Sequence, residues 1–147
     1  PARDAPIEAG AGRSAAGHRP AIADAAARLA KAWADVRDWD TPVFYRDGTL
    51  AGTAYAVWRE VEIHTRDLDL GPVAWSPEFC EHVIDFLSPR VPAGVRLTLR
   101  AGDRAYAVGE GEDVVLTGSL TDLTAWLAGR EPEGRITGDR PELDPWP

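Results

Sequence analysis

The sequence predicts an α+β protein: a helical part over residues 1–71, then a small α+β unit over residues 72–147. Three observations carry this. Apolar residues recur at helical spacing through the first half. After Pro89 the pattern changes to short β-branched and aromatic runs separated by glycine turns. A serine-capped stretch ending in glycine then predicts one more helix near the end of the chain.

The elements follow in order. Residues 1–19 hold no sustained period, and Glu8 to Ser14 (EAGAGRS) reads as a loop. A helix is predicted from about Pro20 to Arg37, with Ile22, Ala26, Leu29, Trp33 and Val36 as a narrow apolar seam. Pro20 suits its first turn, where no N–H is needed. Asp47-Gly48 predicts a turn closing a short hairpin. A second helix is expected from Thr53 to Leu70, stopped by Gly71-Pro72. Ser76-Pro77-Glu78 opens a third: cap, proline at the first position, acid in the first turn. Val95–Arg100, Arg104–Val108 and Asp113–Thr117 read as an antiparallel meander. Ser119 caps a helix running to Ala128, and Gly134–Gly138 reads as one more strand.

Composition narrows the function. With 147 residues, 44% of them hydrophobic, the chain can build a real core. A net charge of -8 argues against nucleic-acid binding, which needs a basic face. No apolar run approaches the ~20 residues of a membrane span. A single cysteine, Cys80, excludes an internal disulfide framework and points to a reducing cytoplasm. Fifteen arginines to one lysine, with abundant alanine, suggest a GC-rich bacterial source. The absence of methionine suggests a processed chain or a piece of a longer one.

The second helix carries the most chemistry. On a wheel of ~100° per residue, Glu60, His64 and Asp67 fall within the same arc as Ala56, Val57, Ile63 and Leu68. Arg59, Glu62, Thr65 and Arg66 point the other way. Three ionisable side chains thus project from the face expected to be buried, where a pairing or a metal is the usual remedy. Glu60 and His64 are four residues apart, so a carboxylate oxygen and an imidazole nitrogen can both reach one divalent cation. Asp67 can hold the second ring nitrogen. A hydrogen-bonded pair inside a core explains the spacing equally well. No third ligand is evident, since His18 and His82 read as solvated surface residues.

Trp58 to Gly71 (WREVEIHTRDLDLG), with IEAGAGRSA and AAARLAKAWADV before it, resembles the mycothiol-dependent maleylpyruvate isomerase family, DinB-like metal-dependent thiol enzymes. WSPEFCEHVIDFL, LTDLTAWLAGR and LDPWP agree in order and spacing, so the resemblance spans nearly the whole chain. It implies the later part of a DinB-like helical bundle followed by a sterol-carrier-like α/β domain with an antiparallel sheet. It implies a divalent metal, usually zinc, held by Glu60 and His64 together with a histidine from an earlier bundle helix that this chain lacks. It further implies a metal-activated mycothiol thiolate that adds to an unsaturated small-molecule substrate, with isomerisation or transfer as the outcome. An arginine from the second domain would hold an anionic group, with Arg130 the candidate and Arg135 the reserve.

The expected partner is the missing N-terminal helical segment, or a second copy, because half a bundle leaves Ile22, Leu29 and Trp33 open to water. Cys80, with acidic Glu81 beside it, reads as a structural residue or a surface thiol without a catalytic part. The alternative to the enzyme is a non-catalytic binding module that keeps the scaffold, with Glu60 and His64 merely hydrogen-bonded.

Overall fold

The computed structural model describes residues 4–147. The chain forms two compact units, one up to Ala54 and one from Tyr55 to Pro147.

In the first unit, α1 covers Asp4–Ala11 and α2 covers Ala15–Ala34. The stretch expected as a loop is therefore mostly helix. Only Gly12 to Ser14 interrupts it, and the Ser14 hydroxyl accepts the Gly17 N–H as the cap of α2. Alanine accounts for the difference: Ala9 and Ala11 carry α1 across Gly10, and the helix stops only at Gly12. Pro20 consequently sits inside α2 and not in its first turn. His18, expected on a loose surface segment, is a half-buried residue of α2. No α2 residue is fully buried, and Ile22 is 66% exposed. The Asp47-Gly48 turn does close a short bridge: Val43 N–H donates to the Gly48 carbonyl at 2.8 Å, with Pro42 opposite Thr49.

The helix α3, Leu50–Asp67, begins earlier than expected. Thr49, not Thr53, supplies the cap, its hydroxyl accepting the Gly52 N–H at 3.2 Å.

The second unit holds the core. Helix α4 covers Pro77–Leu87, capped by Ser76, whose hydroxyl accepts the Phe79 N–H. Strands β1 (Gly94–Ala101), β2 (Arg104–Gly109) and β3 (Gly111–Thr117) follow, then α5 (Leu120–Leu127), capped by Ser119. Alternation in β1 turns Leu97 and Leu99 inward, opposite Val108 and Tyr106 on one side and Val114 and Leu116 on the other. They are buried in one cluster with Phe79, Val83 and Leu87 of α4 and Leu123 and Leu127 of α5.

The sheet is not the expected antiparallel meander. Its order is β2-β1-β3, with β1–β2 antiparallel and β1–β3 parallel. The chain leaves β2 at Gly109 and enters β3 at Gly111 on the far side of β1, with Glu110 alone between them. Gly109 and Gly111 both have positive φ, and a Cβ on either would run into the carbonyl of Val95 or Gly94. Only glycine permits so tight a passage around the end of β1. The expected strand at Gly134–Gly138 reduces to one bridge, Thr137 to Thr117, with both N–H···O bonds at 2.9 Å.

Candidate metal centre

The part of α3 from Tyr55 onward belongs to the second unit and is positioned by aromatic contacts. Trp58 meets Phe79 edge-on at 5.1 Å, and Phe79 meets Trp75 likewise at 5.3 Å. Ile63 is buried in the core cluster, and the Trp75 indole N–H donates to the Glu62 carbonyl at 3.3 Å.

This rotates the helix relative to the sequence expectation. Arg59 and Arg66, assigned to the outer arc, are turned toward the unit's aromatic side chains. The Arg59 guanidinium lies 3.6 Å over the Phe86 ring and donates to His82 Nε2 at 2.8 Å. Arg66 has a side chain only 8% exposed, set over Trp75, with Nη1 3.1 Å from Glu133. A guanidinium is planar and weakly hydrated, so it covers aromatic faces well, which a polar-versus-apolar wheel does not register. His82, expected to be solvated, is half-buried and stacks on Tyr55 and Trp58. Burial, with the charge of Arg59, holds its pKa below the ordinary value.

The arc of Glu60, His64 and Asp67 is exposed to solvent. Glu60 and His64 side chains are 74% and 60% exposed. His64 Nε2 lies 3.3 Å from Glu60 Oε2, and His64 Nδ1 lies 2.9 Å from Asp67 Oδ2. Arg130 joins from beyond α5: its Nε donates to Asp67 Oδ1 at 3.1 Å and its Nη2 to Asp67 Oδ2 at 2.8 Å. The bidentate fork pulls the Asp67 carboxyl down to about 2, against a partial burial that raises it and with help from His64. The third nitrogen of Arg130, Nη1, donates to the Ala128 carbonyl at 2.8 Å. Thus the structure brings Glu60, His64, Asp67 and Arg130 into one chain of contacts, and Arg135 takes no part in it.

The loop that presents Arg130 is itself pinned. Asp122 Oδ1 accepts the N–H groups of Glu133 and Gly134 at 2.9 and 3.0 Å, and its Oδ2 accepts the Ser119 hydroxyl. Arg66 Nη2 donates to the Glu131 carbonyl at 3.2 Å. The C-terminal tail closes the other side: Arg90 donates to the carbonyls of Asp144 and Leu127, and Trp146 lies 5.7 Å from both Arg90 and Arg130. Neither Asp122 nor Trp146 is a site candidate in the sequence: Asp122 reads as an ordinary helix start three residues after Ser119, and Trp146 enters only within the LDPWP tail that carries the family resemblance.

As a metal site, the donor set fits in part. An imidazole with its far nitrogen on a carboxylate and its near nitrogen facing a second carboxylate is a recurrent ligand arrangement. Neutral His64 carrying its proton on Nδ1 would leave two acceptors, Nε2 and Glu60 Oε2, facing each other at 3.3 Å. A cation relieves that opposition. Among the described residues, however, no three His, Cys, Asp or Glu side chains are arranged to hold an ion.

Residues 74–145 match the MDMPI C-terminal domain family. Two solved structures extend the likeness beyond this segment. A mutant of the mycothiol-dependent maleylpyruvate isomerase superposes with a TM-score of 0.72 at 27% identity, over 98% of this chain and 66% of that one. A second structure of the mycothiol-dependent maleylpyruvate isomerase gives 0.61 at 29% identity, over 82% of this chain and 57% of that one. The resemblance expected from the helix motif is therefore borne out, and the chain spans about two thirds or less of those proteins' length. No curated protein matches the chain. Among the described residues, no helix is long and apolar enough to cross a membrane.

Proposed function

We propose that this chain supplies Glu60 and His64 as two ligands of a divalent metal in a mycothiol-dependent isomerase or thiol transferase of the maleylpyruvate isomerase type. The observation that carries the reading is the ring of His64, held at Nδ1 by Asp67 while Nε2 faces Glu60 at 3.3 Å. A divalent ion with an open position, zinc by its taste for imidazole and carboxylate, would lower the pKa of a bound thiol so that the thiolate can attack an electrophilic carbon.

The chain's own residues then divide the work. Glu60 and His64 hold the ion, and Asp67 orients the ring. Arg130 was expected to receive an anionic substrate group. A substrate carboxylate reaching it has to share it with Asp67, which already takes its Nε and Nη2. The remaining ligand comes from the N-terminal bundle helices of the family or from a second copy; of the seam expected to be open to water, Ile22 is exposed while Leu29 and Trp33 are half-buried. A cytoplasm containing mycothiol is the matching location.

Elemental mass spectrometry tests this on the 147-residue chain alone and mixed with the family's N-terminal helices. Near one zinc per complex is expected, with little on the lone chain and little in complexes carrying His64→Ala. Mycothiol-dependent turnover of maleylpyruvate should follow the zinc. No metal in either sample overturns the proposal and puts the non-catalytic binding module ahead.

A further inference from the structure

We infer that Arg130 is a positioning residue: through Asp67 it holds His64 in the Nδ1–H tautomer, which leaves the Nε2 lone pair turned toward Glu60. The purpose of this arrangement rests on the metal reading above, but the tautomer is a property of the chain itself.

The neutral imidazole has one proton and two carboxylates competing for it. Asp67 stands at Nδ1 at 2.9 Å and Glu60 at Nε2 at 3.3 Å. The competitors differ in how firmly they are held. Glu60 is 74% exposed, so water competes for its oxygens and its side chain has rotamer freedom to lose. Asp67 is 35% exposed, and both its oxygens are gripped by Arg130. Arg130 is in turn fixed to the end of α5 through the Ala128 carbonyl, with the Trp146 ring 5.7 Å away. A carboxylate held in place by a bidentate fork is the better-placed acceptor, so the ring proton goes to Nδ1.

The result would reverse without Arg130. Asp67, freed to rotate, would lose its hold on Nδ1. The proton would move to Nε2, where Glu60 can accept it, and that nitrogen would be closed to any ligand. Arg130 thus acts from more than sixty residues away in sequence on which nitrogen of His64 is open, without touching the imidazole.

Long-range proton–nitrogen correlation spectra of the metal-free, nitrogen-15-labelled chain read the tautomer directly. They are taken at a pH where the imidazoles are neutral, with His64→Ala assigning the signal against His18 and His82. Nδ1–H is expected for the wild type, and a shift toward Nε2–H in both Arg130→Gln and Asp67→Ala. Asp67→Ala shows whether the Nδ1 contact sets the tautomer, and Arg130→Lys, which keeps the charge without the bidentate fork, should shift it part of the way and keeps the test decisive if Arg130→Gln loosens the loop. In the complex with the N-terminal helices, Arg130→Gln should weaken zinc binding roughly 10- to 100-fold. An Nε2–H wild type, or a tautomer unmoved by Arg130→Gln in a folded protein, overturns the inference. A tautomer that moves with Arg130 in a protein that takes up no zinc upholds the positioning role and removes the metal reading.

Discussion

Asp122 offers the most direct test of how the site is held. Its carboxylate accepts two backbone N–H groups, Glu133 and Gly134, and the Ser119 hydroxyl, and the residue is 8% exposed. Asp122→Ala removes all three acceptor contacts at once. Hydrogen bonds to a charged group contribute ~1.5–3 kcal/mol each, but Glu133 and Gly134 are at the surface and water can recover part of the loss. About 1 kcal/mol per bond is then reasonable, or roughly 2–3 kcal/mol in all. For a chain of this size that lowers Tm by roughly 4–12 °C. Asp122→Asn keeps Oδ1 and can donate to the Ser119 oxygen, so it should cost less than half as much. The acid limb carries a second signature. Burial alone would raise the Asp122 carboxyl, but the Gly134 amide, the Ser119 hydroxyl, the Glu133 amide and nearby Arg66 outweigh it and lower it. The stabilisation is complete above the unfolded value of about 4 and is lost as pH falls through the lower native value. Calorimetry of the three proteins from pH 7 to pH 3 checks both points. A change under 0.5 kcal/mol in Asp122→Ala, or equal losses in Ala and Asn, would refute the hydrogen-bond argument.

Two further outcomes follow from the same packing. Gly111→Ala puts a Cβ against the Gly94 carbonyl at a φ of 135°, so β3 cannot pass the end of β1; loss of soluble, folded protein is expected by circular dichroism, whereas Gly10→Ala, with nothing within 4 Å, should be neutral or stabilising. Cys80 is fully buried, and burial raises its thiol above the ordinary range despite Thr124 and Thr121, so a thiol reagent such as iodoacetamide should leave the native protein unmodified and react only on unfolding.

The sequence was legible wherever a local signal matched a local cause. Ser76 before Pro77 and Ser119 before Leu120 do cap α4 and α5, because a cap bond spans three residues and needs no partner elsewhere. The three strands were readable from β-branched runs, but their order was not, because parallel pairing of β1 with β3 depends on glycines whose neighbours lie in another strand. On α3 the spacing of Glu60, His64 and Asp67 placed them together correctly. It did not reveal which face the helix buries, since arginines at Arg59 and Arg66 cover aromatic rings where a wheel assigns them to water.

By itself, then, the sequence determined the α+β class, the caps of α4 and α5, the family resemblance and the i, i+4 pairing of Glu60 with His64. All of these are properties of residues within a few positions of one another, or of a whole pattern. Only the tertiary structure decided that Arg130 grips Asp67, that Asp122 pins the loop presenting Arg130, and that Trp146 returns to lie beside it. Those partners are 63, 12 and 16 residues apart in sequence. No local propensity encodes such distances; they are set by how α3, α5 and the tail close around one shared core.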